Sequence, residues 1–138
     1  MTLGLGAMDP WGNRFRYAVD MDFSNHSTLF NFTSPAVLNV RVTGGGAFLT
    51  GYDPDGAVAV ILSDGKNGYS AISASTGAAN PAATSADELD NVGGSGYISR
   101  AIYRPATLAQ AALEFDDVVT WLGKYTLFNR MVAAGKLP

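Results

Sequence analysis

The chain has no cysteine and a single histidine among its 138 residues. The first absence excludes disulfides and thiolate zinc sites, while leaving the redox compartment open, because an exported protein need not carry disulfides. The second leaves His26 as the sole imidazole. It stands in the polar stretch Ser24-Asn25-His26-Ser27 and reads as a surface-loop residue, not as a general base. Charge is scarce as well: 15% of residues are charged, the formal net charge is −3, and the nine basic residues are scattered, with Arg14 and Arg16 the nearest to a cluster. A nucleic-acid footprint needs a basic face, so no nucleic-acid partner is expected. No apolar run approaches the ~18 residues of a transmembrane helix, and no signal peptide is visible. There is no Gly-x-Ser-x-Gly elbow, and Gly44-Gly45-Gly46 lacks the Gly-Lys-Ser/Thr ending of a phosphate loop, so the triplet reads as a turn or bulge. With these constellations missing, an enzyme is not expected.

What is present is a globular composition: 47% hydrophobic residues and 16 glycines, the latter a sign of many turns between short strands. The length suits one domain over residues 1–138, large enough to bury its own core. Arg14 to Val19 and Phe30 to Phe32 are aromatic strand candidates, and Val37 to Val42 alternates apolar and polar residues as a half-buried strand does. Ala47 to Tyr52 and Ala57 to Leu62 flank Asp53-Pro54-Asp55-Gly56, whose residues suit a type I turn, so this pair predicts a hairpin. Residues 63–95 form a loop-rich segment, with Ala71 to Ser85 lacking any period. Tyr97 to Tyr103 and Asp116 to Leu122 are further strand candidates, with a short helical turn expected over Thr107 to Leu113. A closing helix is expected from Leu127 to Ala134, capped by Thr126 and stopped by Gly135.

Carboxylates are the residues with chemistry to offer. Asp53 and Asp55 open like a calcium loop, but the ligand series stops there and the turn reading is preferred. Asp64, Asp87, Asp90, Asp116 and Asp117 form a second set. The plainer reading of that set is that Asp116, Asp117 and Asp87 cap or ion-pair turns. Trp11 and Trp121 read as core supports, with a stacking platform for sugars as the other reading.

Two phrases stand near the ends of the chain. Asp9-Pro10-Trp11-Gly12-Asn13 reads as a turn feeding an aromatic strand, and Phe115 to Leu122 runs from an acidic pair into β-branched residues and Trp121. Together they resemble the globular domain of type IV pilins and type II secretion pseudopilins. Asp64-Gly65-Lys66-Asn67-Gly68 resembles the Asp-Gly-x-x-Gly turn of major pseudopilins, and Asp117-Val118-Val119-Thr120-Trp121 resembles their Asp-Ile-x-x-Trp. The resemblance implies an α+β fold: a pilin-like antiparallel sheet of about four or more strands with short helices. One apolar face of that sheet would await a long N-terminal anchor helix, and Met1 to Gly6 reads as a cut into a longer protein. The resemblance further implies a structural subunit, a minor pilin or pseudopilin, in the fibre of a type IV pilus or type II secretion system of a Gram-negative bacterium. Its partners would be other such subunits. It would be anchored in the inner membrane with a periplasmic domain, or carried outward in an extracellular fibre. Calcium is the one cofactor the resemblance admits, with Asp117, Asp87, Asp90 and Asp64 as its ligands. The function of a different class is a secreted β-rich module that binds a carbohydrate or surface ligand.

Overall fold

The computed structural model describes residues 6, 8–93, 96–100, 103 and 113–136. In chain order its elements are strand β1 (Arg16–Val19), helix α1 (Met21–Ser24), strands β2 (Asn39–Arg41) and β3 (Ala57–Ser63), helix α2 (Ala86–Asp90), strands β4 (Gly96–Ile98) and β5 (Val118–Gly123), and helix α3 (Lys124–Ala133). Among the described residues no helix is long and apolar enough to cross a membrane.

Short apolar and aromatic runs become the main sheet, which is antiparallel with strand order β1-β3-β5, while the alternating 37–42 segment supplies β2 outside it. Residues that pair across it share a face. Arg16–Leu62–Val119 and Ala18–Val60–Trp121 line one side; Tyr17–Ile61–Thr120 and Val19–Ala59–Leu122 line the other. The first side is the core. Val60, Leu62 and Val119 pack with Leu38, Val40, Ala57 and Tyr97, and Ala18 and Trp121 close over them. Each such fully buried aliphatic side chain contributes about 1.5–3 kcal/mol. Val40 and Tyr97 are partners in a second, two-stranded sheet in which β2 and β4 run parallel. The other side of the main sheet stays largely open: Tyr17 is 70% and Val118 55% exposed, although both are large apolar residues in strands.

The Asp9 turn opens the domain as its residues dictate. Asp9 Oδ1 accepts the N–H groups of Trp11 (3.0 Å) and Asn13 (2.8 Å), Gly12 adopts φ +86°, and Asp9 Oδ2 accepts the Ser63 hydroxyl at 2.6 Å. The turn is thereby fastened to the end of β3. Trp11 itself is 46% exposed and supports no core, which corrects the expectation for that ring. Trp121 does pack against the core, as expected.

The hairpin expected from 47–52 and 57–62 is not formed, and among the described residues the main sheet has three strands where about four or more were expected. Both edges of β3 are already taken, by β1 and β5, so 47–52 finds no ladder there. That segment turns back onto β2 instead. Phe48 bridges Arg41, Val42 N–H donates to Ala47 O (3.0 Å), and Gly46 N–H donates to Thr43 O (2.8 Å) with Gly45 at φ +70°. The glycine triplet is thus the tight turn. Phe30 and Phe32 form no strand either; their rings pack on Phe128 of α3.

Residues 71–80, read as an aperiodic loop, carry a small ladder. Ile72 bridges Ala79, Ser73 N–H donates to Ala78 O, and Arg14 N–H donates to Ile72 O. Helix α3 starts at Lys124, earlier than expected, and ends where expected. Gly135 at φ +64° donates to Val132 O and Lys136 donates to Met131 O, which is the paired-bond pattern of a glycine helix stop. The helical turn expected over 107–113 lies, Leu113 apart, outside the described residues, as do positions 101 and 102 of the strand expected over 97–103.

Candidate cation site

The structure brings two of the quoted phrases together. Gly65, at φ +66°, allows the 64–68 turn to press on Asp116: a Cβ there would stand 2.3 Å from Asp116 O and 2.4 Å from its Oδ1. Asn67 N–H donates to Asp116 Oδ2 at 2.8 Å, and the Asn67 amide donates to Glu88 Oε1 at 3.1 Å. Glu88 Oε1 also accepts Asp116 N–H at 3.2 Å. The turn, α2 and the entry to β5 therefore meet at one point.

At that point Glu88, Asp116 and Asp117 each present a carboxylate oxygen, all within 4.8 Å of one another. Two oxygens on opposite sides of a calcium ion lie about 4.6–5.2 Å apart, given metal–oxygen distances of about 2.3–2.6 Å. Glu88 and Asp117 are buried and Asp116 is half-buried. Among the described residues Glu88 Oε2 and Asp116 Oδ1 have no hydrogen-bond partner, and neither does the buried Asp64 Oδ2. Buried acceptors left open in this way are costly unless something satisfies them. The acidic cluster can hold a metal ion, and its hard oxygen donors fit one.

Electrostatics agree with the geometry. Burial pushes the Asp117 carboxyl up to about 7, against a hydrogen bond from Asn91 and with added repulsion from Glu88, Asp64 and Asp116. Burial likewise raises Glu88, Asp116 and Asp64 above their ordinary values. The one described cation ion-paired here is Arg16, which bonds Asp64 and donates its other amino group to Val92 O at 3.0 Å. Negative charge at the trio has no cation of its own among the described residues.

Of the four ligands expected from the sequence, Asp117 lies in the trio. Asp64 lies beside it, close enough to raise Asp117 but engaged by Arg16. Asp87 and Asp90 are held elsewhere. Asp87 ion-pairs with Arg100 and accepts from the Thr43 hydroxyl (3.0 Å) and Gly44 N–H (2.9 Å), while Asp90 is exposed, with its Oδ2 also near Gly44. The reason is helical. With α2 formed, residues three apart share a face, so Asp87 and Asp90 turn to the glycine turn while Glu88 and Asn91 turn to the cluster. Glu88 was missed because 86–90 was read as loop. Its signal was available in Ser85-x-x-Glu88, the spacing of a helix-opening capping box, although Ser85 makes no side-chain cap bond here.

Compared with known protein families, curated proteins and solved structures, the chain matches none.

Proposed function

We propose that the chain is the globular domain of a pilin-like fibre subunit, a minor pilin or pseudopilin that acts by assembly and not by catalysis. The observation that carries this reading is the thinly covered apolar side of the β1-β3-β5 sheet, where Tyr17, Val19 and Val118 are exposed and Ile61 and Leu122 only half-buried. An antiparallel sheet with two apolar faces needs something on each. In this reading a long apolar helix preceding the domain lies on that side, anchors the subunit in the inner membrane of a Gram-negative bacterium, and later packs in the fibre core. Other pilin or pseudopilin subunits are the partners. The meeting of the Asp64–Gly68 turn with Asp116 and Asp117 supports the same reading, and the ion in the trio is then calcium, bound by Glu88, Asp116 and Asp117.

The coding sequence upstream of Met1 tests the proposal. An apolar segment with a Glu near its start, following a Gly-Phe processing site, is the expected result; a cleavable secretory signal joined directly to this domain overturns it. A second test uses the full-length chain. Tyr17→Asp with Val118→Asp should leave the circular dichroism of the isolated domain unchanged while abolishing incorporation into fibres.

A further inference from the structure

On the side of the molecule where β5 runs into α3, a groove of about 620 Å³ opens between the 49–56 segment and residues 121–126. That volume lies within the range of small-ligand sites, about 300–1,000 Å³. Three aromatic rings line it: Tyr52, Trp121 and Tyr125. Tyr52 and Tyr125 are exposed, and Trp121 has one side on the core and the other in the groove.

Each ring is held by a partner that is not a ligand. Tyr52 meets the Phe48 ring edge-on at 5.1 Å, Tyr125 donates its hydroxyl to Asp55 Oδ1 at 2.8 Å, and Trp121 is braced by the core. Rings fixed beforehand lose little freedom when something stacks on them. Polar groups stand between them. Lys124 is only 4% exposed, and its ammonium reaches Asp55 Oδ1 and Pro54 O at 3.3 and 3.4 Å. Asp55 Oδ2 and the carboxylate of Asp53, also in the groove wall, accept no hydrogen bond from the described residues.

Flat apolar faces beside carboxylate acceptors and an ammonium donor match one ligand chemistry well: a pyranose ring, apolar on its C–H face and rich in hydroxyls at its rim. Aromatic rings with nearby acids also suit a quaternary ammonium group. Here, however, the chain's own ammonium already takes that place: Lys124 bonds Asp55 and stands 5.9 Å from the centre of the Tyr125 ring, so a ligand cation has to compete with it. We infer that this groove is a binding site for a neutral saccharide chain, with Tyr52, Trp121 and Tyr125 stacking on sugar rings and Asp53, Asp55 and Lys124 bonding their hydroxyls. The inference does not rest on the assembly reading, and its failure leaves that reading standing.

The test is an amide and indole NMR titration with maltohexaose, cellohexaose and N-acetylchitohexaose in turn, each to about 10 mM, and with choline in a separate arm. A parallel sedimentation assay with starch, cellulose and chitin distinguishes a soluble chain from a polysaccharide surface as the source. The expected result is saturable shifts at the Trp121 indole and the Lys124 and Tyr125 amides with at least one hexaose. Tyr52→Ala and Tyr125→Ala should each weaken that binding about tenfold, roughly 1.4 kcal/mol. Both rings are exposed, so the variants should fold; Asp53→Asn, at an exposed loop position, provides an independent weakening. No saturable shift with any hexaose and no sedimentation overturns the inference. So do shifts confined to the choline arm, or hexaose shifts that all three substitutions leave unchanged.

Discussion

The Asn91 side chain donates to Asp117 Oδ2 at 2.8 Å, and with the rest of its amide it grips β4: its Nδ2 also donates to Ile98 O (3.1 Å) and its Oδ1 accepts Ile98 N–H (2.7 Å). One buried amide therefore joins the smaller sheet to the carboxylate at the head of the main one. Whatever the charge state of Asp117, its position is fixed from outside the acidic cluster.

The first prediction concerns metal. An ion bound only by the folded chain stabilises it by about 2.7 kcal/mol at a hundred times the dissociation constant. Thermal melting with excess calcium should give a midpoint several degrees above that with a chelator. Asp117→Asn should remove this response while making the metal-free protein more stable at pH 8, because a buried charge has gone. Equal midpoints with calcium and chelator would show that the trio holds no ion.

A second prediction follows from Asp117 in the absence of metal. Its carboxyl stands at about 7 in the folded chain and near 3.8 otherwise. Between those values the folded state keeps a proton that the unfolded state has released, so stability is highest at the acid end and falls as pH rises toward 7. The loss is on the order of 2–4 kcal/mol, and Glu88 and Asp116, also raised, add to it. Urea midpoints measured with chelator at pH 4.5 and 7.5 check the sign. A midpoint that climbs across this window contradicts the prediction, and calcium should flatten the fall.

Gly65→Ala tests the contact between the turn and Asp116. The added methyl meets backbone oxygen at 2.3 Å with φ at +66°, and both effects oppose it. A cost of roughly 2 kcal/mol or more is expected from the strained backbone and the displaced neighbour together. Gly12→Ala, also at positive φ but with nothing within 4 Å of its Cβ, should cost less. Similar losses for the two would mean that the turn is not pressed against Asp116.

Trp121 gives the fourth. It lies across from Val60 and packs on the core while part of the ring remains accessible. Trp121→Ala should destabilise by about 2–4 kcal/mol in chemical denaturation, somewhat below the range for a wholly buried ring. A loss under about 1 kcal/mol would place the ring's role in the groove alone.

Strands β1, β3 and β5 were legible as short apolar and aromatic runs bounded by turn residues, and the helix stop at Gly135 because only a few residues accept its backbone. Pairing was not legible. Asp53-Pro54-Asp55-Gly56 has good turn residues, but β3 lies at the centre of the sheet, and local composition says nothing about which edges distant strands will occupy. The site was half legible for a related reason. Asp117 came from the resemblance to the pseudopilin motif, and Asp64, from the same resemblance, lies beside the trio and not in it, whereas choosing Glu88 over Asp87 and Asp90 required knowing that 86–90 is helical.

The strand order β1-β3-β5 also sets how the domain must form. Arg16 pairs with Leu62, and Leu62 pairs in turn with Val119, so each ladder of the main sheet closes a long stretch of chain before its first bond is made. Local turns such as Thr43–Gly46 form early but bury little. Chains built this way fold on the slower scale of about milliseconds to seconds, with the ordering cost met before the packing gain arrives. Nascent chain that has emerged only as far as β3 holds half a sheet with an open, apolar edge. Productive folding therefore waits for β5, and truncation anywhere before Gly123 should yield aggregate, not a smaller domain.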